Sequence, residues 1–233
     1  MDWWHVIDLS DGSVTPGGWD LRDVSRRLPW PDLSGKRCLD VGTADGFWAF
    51  ELEKRGAADV VATDLPSPFQ SRARERFEHA RELLGSRVRY EECDVFELEG
   101  EFDVIFAGYV LQMVRDPVGA LEAMRRVCRG HLLLLETVSL PLSLLPAPLA
   151  RLDARRDGRE RFVFNPRGLR KAAELAGWTI EQQTGMLHDK AGPTAAAQKA
   201  SRSLKHRVGV RGRSWALRAA ATGSPTTLFG LSG

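Results

Sequence analysis

The string Leu39-Asp40-Val41-Gly42-Thr43-Ala44-Asp45-Gly46 constrains this chain more than any other part of it. An apolar run over residues 37–42 ends in an acid and a glycine, and a second glycine follows four residues later. Such a run reads as a buried strand that turns sharply into a helix. With so little side-chain bulk at the turn, a ligand can approach the backbone closely. The helix is predicted over residues 45–55, with Gly56 standing where it should stop.

The same alternation continues downstream. Residues 59–64, 87–90, 102–106, 131–138, 178–183 and 214–221 read as strands, and residues 68–84 as a charged helix. Asp116-Pro117 and Asn165-Pro166 each place a capping side chain before a proline, which opens helices running to about Val127 and to Gly177. Strands and helices at this spacing predict an α/β fold with a doubly wound, mostly parallel sheet. Residues 1–35 form a lead-in or lid segment, residues 36–221 the ligand-binding domain, and residues 222–233 a frayed tail. Two stretches, 139–164 and 185–212, interrupt the alternation and read as loop insertions.

A chain of 233 residues, 43% hydrophobic and 27% charged, suits one such domain with an ordinary core. Net charge is +2, but residues 151–218 hold 16 Lys/Arg against 6 Asp/Glu, so the back is basic and the front acidic. The basic side could meet an anionic substrate. Cys38, Cys93 and Cys128 form no CxxC pair and read as reduced, mostly buried thiols, with no metal site. The start Met1-Asp2-Trp3-Trp4-His5 lacks the pattern of a signal peptide, and prolines break the apolar stretch 131–150, so a cytoplasmic protein with no membrane partner is expected.

Dinucleotide sites use G-x-G-x-x-G around a pyrophosphate. Here the glycines fall at 42 and 46 with Ala44 between them, and Asp40 would repel a phosphate but attract an ammonium group. Asp64 ends the second strand, placed to accept from both ribose hydroxyls. Asp94 follows the third strand, placed to accept from an adenine amino group, with Val95 or Phe96 to stack on the base. Three acids at the ends of three successive strands converge where such sheets bind ligands. A ligand with an adenosine and a cationic amino-acid tail fits them: S-adenosyl-L-methionine. Gly42, Thr43, Gly46 and Phe47 are assigned to its methionine part, Leu65 beside Asp64, and Ala107 to the edge near the transferred methyl group.

LDVGTADG, the acid of VVATD, and ECD resemble motifs of the class I S-adenosylmethionine-dependent methyltransferases over about residues 36–221. More narrowly, GKRCLDVGTADGFWAFELEKRGA, FDVIFAGYVLQMVRDP, LLLLETVSL and RFVFNPRGLRKAAELAGW resemble the enzymes that modify the 5-oxygen of the transfer-RNA wobble uridine, together with their relatives. The lead-in IDLSDGSVTPGGWDLR is similar to the segment before the core in those relatives. The resemblance implies a Rossmann-like, seven-stranded sheet with an antiparallel last strand and carboxyl-edge binding of S-adenosylmethionine or its carboxylated form. Gln112-Met113 stands where the wobble-uridine enzymes carry Tyr-His, and no lysine precedes Lys36; both departures favour the plain cofactor.

Methyl transfer from a sulfonium needs alignment more than a catalytic cluster. Tyr109 and Gln112 follow the fourth strand, and either borders the acceptor or simply packs. His188 and His5 are candidate general bases for a hydroxyl acceptor, though each also reads as a surface histidine. Glu136 interrupts an apolar strand, so it either faces the substrate pocket or pairs with an arginine. Trp3, Trp4 and Trp19 either cover the cofactor or pack the lead-in against the sheet. Lys199, Arg202, Lys205, Arg207, Arg211 and Arg213 either contact RNA phosphates or form a solvated basic face. The acceptor is a small molecule or RNA, not DNA. A nicotinamide oxidoreductase and a non-catalytic cofactor-binding partner protein are the competing readings.

Overall fold

A computed structural model of the protein describes residues 3–65, 72–152, 162–188, 190–192 and 213–221. In chain order the elements are β1 (Trp19–Asp20), α1 (Arg22–Arg27), β2 (Arg37–Val41), α2 (Phe47–Lys54), β3 (Asp59–Asp64) and α3 (Ala73–Leu84). Next come β4 (Arg89–Glu92), a 3₁₀ turn (Val95–Glu97), β5 (Phe102–Gly108), α4 (Pro117–Val127), β6 (Cys128–Thr137) and α5 (Leu140–Ser143). The chain continues with β7 (Ala150–Leu152), β8 (Phe162–Phe164), α6 (Pro166–Leu175), β9 (Thr179–Gln183), β10 (Leu187–His188), β11 (Lys190–Ala191) and β12 (Arg213–Ala220).

The main sheet runs in the order β10-β12-β6-β5-β2-β3-β4, with β9 also paired to β12. Strands β2 to β6 are mutually parallel, and β12 lies antiparallel beside β6. The expected seven-stranded sheet therefore has eight strands in seven positions, because β9 and β10 share one edge of β12. The run Leu132 to Leu135 in β6 is wholly buried, which requires cover on both faces. Leu39, Ile105, Leu132 and Leu134 pack with Leu121, Met124 and Leu169 of α4 and α6. On the other face Cys38, Val104, Leu133 and Leu135 pack with Phe47, Trp48 and Phe77 of α2 and α3. Each fully buried leucine contributes about 1.5–3 kcal/mol relative to an exposed one. All three cysteines are free thiols, and burial pushes Cys38 up to about 12 and Cys128 up to about 11.

Several boundaries move. The strand expected over 87–90 is paired at Arg89–Glu92, and Trp178 stays outside β9, donating its indole N–H to the Leu121 carbonyl at 3.1 Å. The helix expected from 45 begins at Phe47, because Gly46 holds a left-handed φ of 95°. The stretch 139–164 is not a plain loop: it contains α5 and the antiparallel pair β7–β8. Nor is 185–192, where β10 extends the main sheet and β11 pairs with β1. The lead-in therefore gains a strand partner instead of lying loose over the domain. Residue 189 and the remainder of that insertion, 193–212, lie outside the described residues, as do residues 66–71, which include the first four of the expected charged helix, and the tail 222–233. No helix among the described residues is long and apolar enough to cross a membrane.

Both capping signals work as read. The Asp116 carboxylate accepts from the Gly119 amide at 2.8 Å, and the Asn165 side chain accepts from the Gly168 amide at 2.7 Å. Asn165 does more than cap: its carbonyl also accepts from the Leu149 amide, and its amide donates to the Leu142 and Ala147 carbonyls. Its side chain is fully buried, so these contacts tie the start of α6 to the preceding loop from within the fold. We expect Asn165→Ala to cost about 2–4 kcal/mol in urea unfolding, combining a lost cap with orphaned backbone groups.

Candidate active site

The register aligns the carboxyl ends of the parallel strands into one rim. Val41 lies opposite Thr63 and Ala107, Asp64 opposite Glu92, and Gly108 opposite Leu135. Gly42 to Gly46 cross this rim toward β3, tethered by Gly42 and Thr43 amides that donate to the Thr63 carbonyl at 2.8 and 2.9 Å. Gly46 cannot carry a side chain there: a Cβ would sit 2.4 Å from the Phe50 ring. Among the described residues the only non-glycine positions with positive φ are Ala44 at 52° and Tyr109 at 62°, and both lie on this rim. Such conformations cost roughly 1–3 kcal/mol each and concentrate at functional sites.

Asp64 stands beside the turn. Its carboxylate accepts the Ala44 amide on one oxygen and the Leu65 amide on the other, both at 2.8 Å. Burial pushes its pKa up and those two amides oppose the rise. A carboxylate has about four acceptor positions, so two remain for ribose hydroxyls. Leu65 is exposed next to it. Asp94 is half-buried one strand further on, and it caps its own 3₁₀ turn by accepting from the Phe96 amide at 3.1 Å. Of the two residues expected to stack on the base, Val95 turns into the core and Phe96 is exposed.

Asp40, Thr43, Phe47 and Ala107 lie beneath the rim rather than in the open. The sheet pleat that buries β2 and β5 on both faces accounts for Asp40 and Ala107. Neither Asp40 carboxylate oxygen nor the Thr43 hydroxyl makes a well-formed hydrogen bond, and the Thr43 hydroxyl and the Ala49 amide are the nearest donors to Asp40. Burial raises the Asp40 pKa to about 7, the Thr43 hydroxyl opposing the rise and the Asp64 charge adding to it. Poorly answered acceptors under a glycine turn, with Asp64 alongside, suit a cationic adenosyl ligand. They fit S-adenosylmethionine and disfavour a pyrophosphate.

Sequence reasoning missed Asp45, reading it as the first residue of a helix. It is instead fully buried in the turn and accepts from the Trp4 and His5 amides at 2.9 and 2.8 Å and from His5 Nδ1. Burial alone would push its pKa up, but the His5 ring and the two amides outweigh it and hold the carboxyl below its usual range. His5, read as a surface histidine or a base, is therefore buried. Trp3 packs on the His79 ring of α3, and Trp19 is paired with Ala191, so the lead-in packs against the domain on one side of the turn. Gly17 permits this, since a Cβ would fall 2.0 Å from the His5 carbonyl carbon.

Beyond β5, the Tyr109 hydroxyl lies 2.8 Å from the Ser214 hydroxyl, and its amide donates to the Leu135 carbonyl at 2.7 Å. Gln112 is half-buried, with its side-chain oxygen unpartnered. His188 is exposed on β10, across from Arg213. Glu136 is 1% exposed and pairs with no arginine among the described residues: its carboxylate takes the Leu111 amide at 2.7 Å. Its pKa is raised to about 8 by burial, against the pull of the Leu111, Val110 and Gln112 amides. The marker for this role was its position, one strand over from the loop that follows β5.

Glu136 binds its proton more tightly folded than unfolded, so its contribution to stability is complete below about pH 4.5 and is lost as pH rises toward 8. Glu136→Gln removes that dependence. The stability of the native protein relative to the variant should fall between pH 5.5 and pH 8.5, as read by urea unfolding at each pH.

The methyltransferase-domain family matches residues 20–183. A ubiquinone biosynthesis O-methyltransferase of Xanthomonas oryzae pv. oryzae is 31% identical over 179 residues, 71% of each chain. A solved S-adenosylmethionine-dependent methyltransferase from Mesorhizobium loti superposes with a TM-score of 0.55 at 19% identity, covering 86% of this chain and 97% of that one. Magnesium protoporphyrin IX methyltransferase from Synechocystis PCC 6803, solved with S-adenosylhomocysteine bound, superposes at 0.56 and 17% identity over 81% and 75% of the two chains. The oxidoreductase and non-catalytic readings give way to these findings. The chain belongs to the methyltransferase-domain family and is a class I enzyme that uses S-adenosyl-L-methionine.

Proposed function

We propose that the enzyme methylates a hydroxyl oxygen of a small, partly apolar acceptor. The observation that carries this reading is the character of the rim beyond β5 and β6: the segments that follow these strands expose Met113, Leu140, Leu144 and Leu145. The identity to ubiquinone biosynthesis O-methyltransferases supports the same acceptor class. An RNA acceptor, and with it the wobble-uridine assignment, has no such support. Lys199, Arg202, Lys205, Arg207 and Arg211 lie outside the described residues, and Arg213 enters only through its backbone in β12.

S-adenosylmethionine, when bound, supplies an activated methyl group on a sulfonium that leaves as a neutral thioether. The protein's task is alignment, which in well-oriented intramolecular reactions is worth about 7–11 kcal/mol. In our reading Asp64 holds the ribose, Asp94 and Phe96 flank the adenine, and Asp40 draws the cationic tail from below through the electrostatics of the turn. Gly42, Thr43 and Gly46 keep the backbone low enough for close approach. Tyr109, fixed by Ser214 and by its strained backbone, sets the floor under the acceptor, and Gln112 offers an unpaired carbonyl to it.

Incubation with methyl-labelled S-adenosylmethionine and separated metabolite and RNA fractions tests the acceptor class. Label is expected in a small molecule, and label confined to RNA would overturn this assignment. Asp64→Ala should weaken S-adenosylhomocysteine binding about tenfold or more, since hydrogen bonds to a charged group are worth about 1.5–3 kcal/mol. Tryptophan fluorescence titration reads the change, and an unaltered affinity removes Asp64 from the ribose site.

A further inference from the structure

We infer that His5 is the general base of the transfer and that Asp45 is the carboxylate that orients it. The inference rests on the hydroxyl-acceptor reading above. Nδ1 of His5 is engaged by Asp45, a carboxylate with no exposure that also takes the His5 and Trp4 amides. The ring is thus held from the backbone and from one nitrogen. A carboxylate can only accept, so Nδ1 is the nitrogen that donates to Asp45 and Nε2 is the one left to exchange a proton. Among the described residues no protein group bonds to Nε2, and the side chain keeps 8% of its exposure. A base whose second nitrogen is steadied by a buried carboxylate is the unit that hydroxyl activation requires.

The position agrees. Asp45 belongs to the turn that the cofactor must cross, and His5 lies against the Phe47 ring with centroids 5.6 Å apart. Phe47 and Trp48 open α2 on the sheet face against which Tyr109 also packs. His5, through Phe47, and Tyr109 therefore border the same apolar cluster on that face of the sheet. His188, the other histidine candidate, is exposed and has no carboxylate partner among the described residues. A purely structural histidine would explain the buried pair, but it would not need a free nitrogen beside the cofactor turn.

The step balances. His5 Nε2 takes the acceptor proton as the oxygen forms its bond to the methyl carbon, and the sulfur keeps the electron pair of the C–S bond that breaks. The positive charge lost at sulfur appears on the imidazolium, where Asp45 offsets it.

Two acceptor probes test this, catechol and the more acidic 4-nitrocatechol, whose hydroxyl is already largely ionised at neutral pH. His5→Asn keeps a donor where Nδ1 stood and removes Nε2; S-adenosylhomocysteine affinity and the melting curve serve as controls on fold. We expect kcat on catechol to fall at least 100-fold in the variant, KM and S-adenosylhomocysteine affinity to hold within about threefold, and kcat on 4-nitrocatechol to fall less than fivefold. Equal losses on the two probes would assign His5 a structural role and overturn the inference. So would undiminished kcat on both, while either result leaves the methyltransferase reading intact. If the variant fails to fold, Asp45→Asn serves in its place and should show the same contrast between probes. Failure of the native enzyme to methylate either probe removes the hydroxyl-acceptor reading and this inference together.

Discussion

A carboxylate taken out of water must be answered by donors, since its desolvation otherwise outweighs anything it adds. This constraint shapes the functional end of the molecule. Asp45 is answered by the first turn of the lead-in, Asp64 by the glycine turn, and Glu136 by the loop after β5. In each case the donors are backbone amides of a segment that would otherwise be free to move. Each buried acid therefore fixes a different wall of the same rim, and a loss of any one releases a specific stretch of chain.

Asp40 is the exception, and its place explains why. Its neighbours in β2 are apolar and buried on both faces, so the strand itself offers it no donor. A buried acid there is costly, and in the function proposed above the cationic tail of the cofactor offsets that cost. The backbone strain at Ala44 and Tyr109 falls on the same rim, where the proposed function places the ligand. The cost is borne by the cores on the two faces of the sheet.

Much of this was legible in the residues. Apolar runs ending in Gly42, Asp64 and Phe106 announced parallel strands, and Asp116-Pro117 and Asn165-Pro166 announced helix starts, because both signals are local. What stayed hidden depends on contacts between distant segments. Nothing around Asp45 shows that residues forty positions earlier close on it, and Glu136 gives no sign that its partners are amides. The pairing of β1 with β11 likewise joins segments about 170 residues apart, so the insertion read as loop. Val95 and Phe96 could not be told apart as stacking residues because one residue of register in a 3₁₀ turn decides which side chain faces out.

The central claim is that adenosyl binding takes place on the rim formed by the turn after β2 and the acids after β3 and β4. Amide hydrogen exchange with and without S-adenosylhomocysteine addresses it most directly. Slowed exchange should gather at residues 42–46, 64–65 and 94–96. Protection gathered instead around Arg22, Trp30 and Arg55, which line a separate cleft near the C-terminal end of α2, with the rim unaffected, would contradict it.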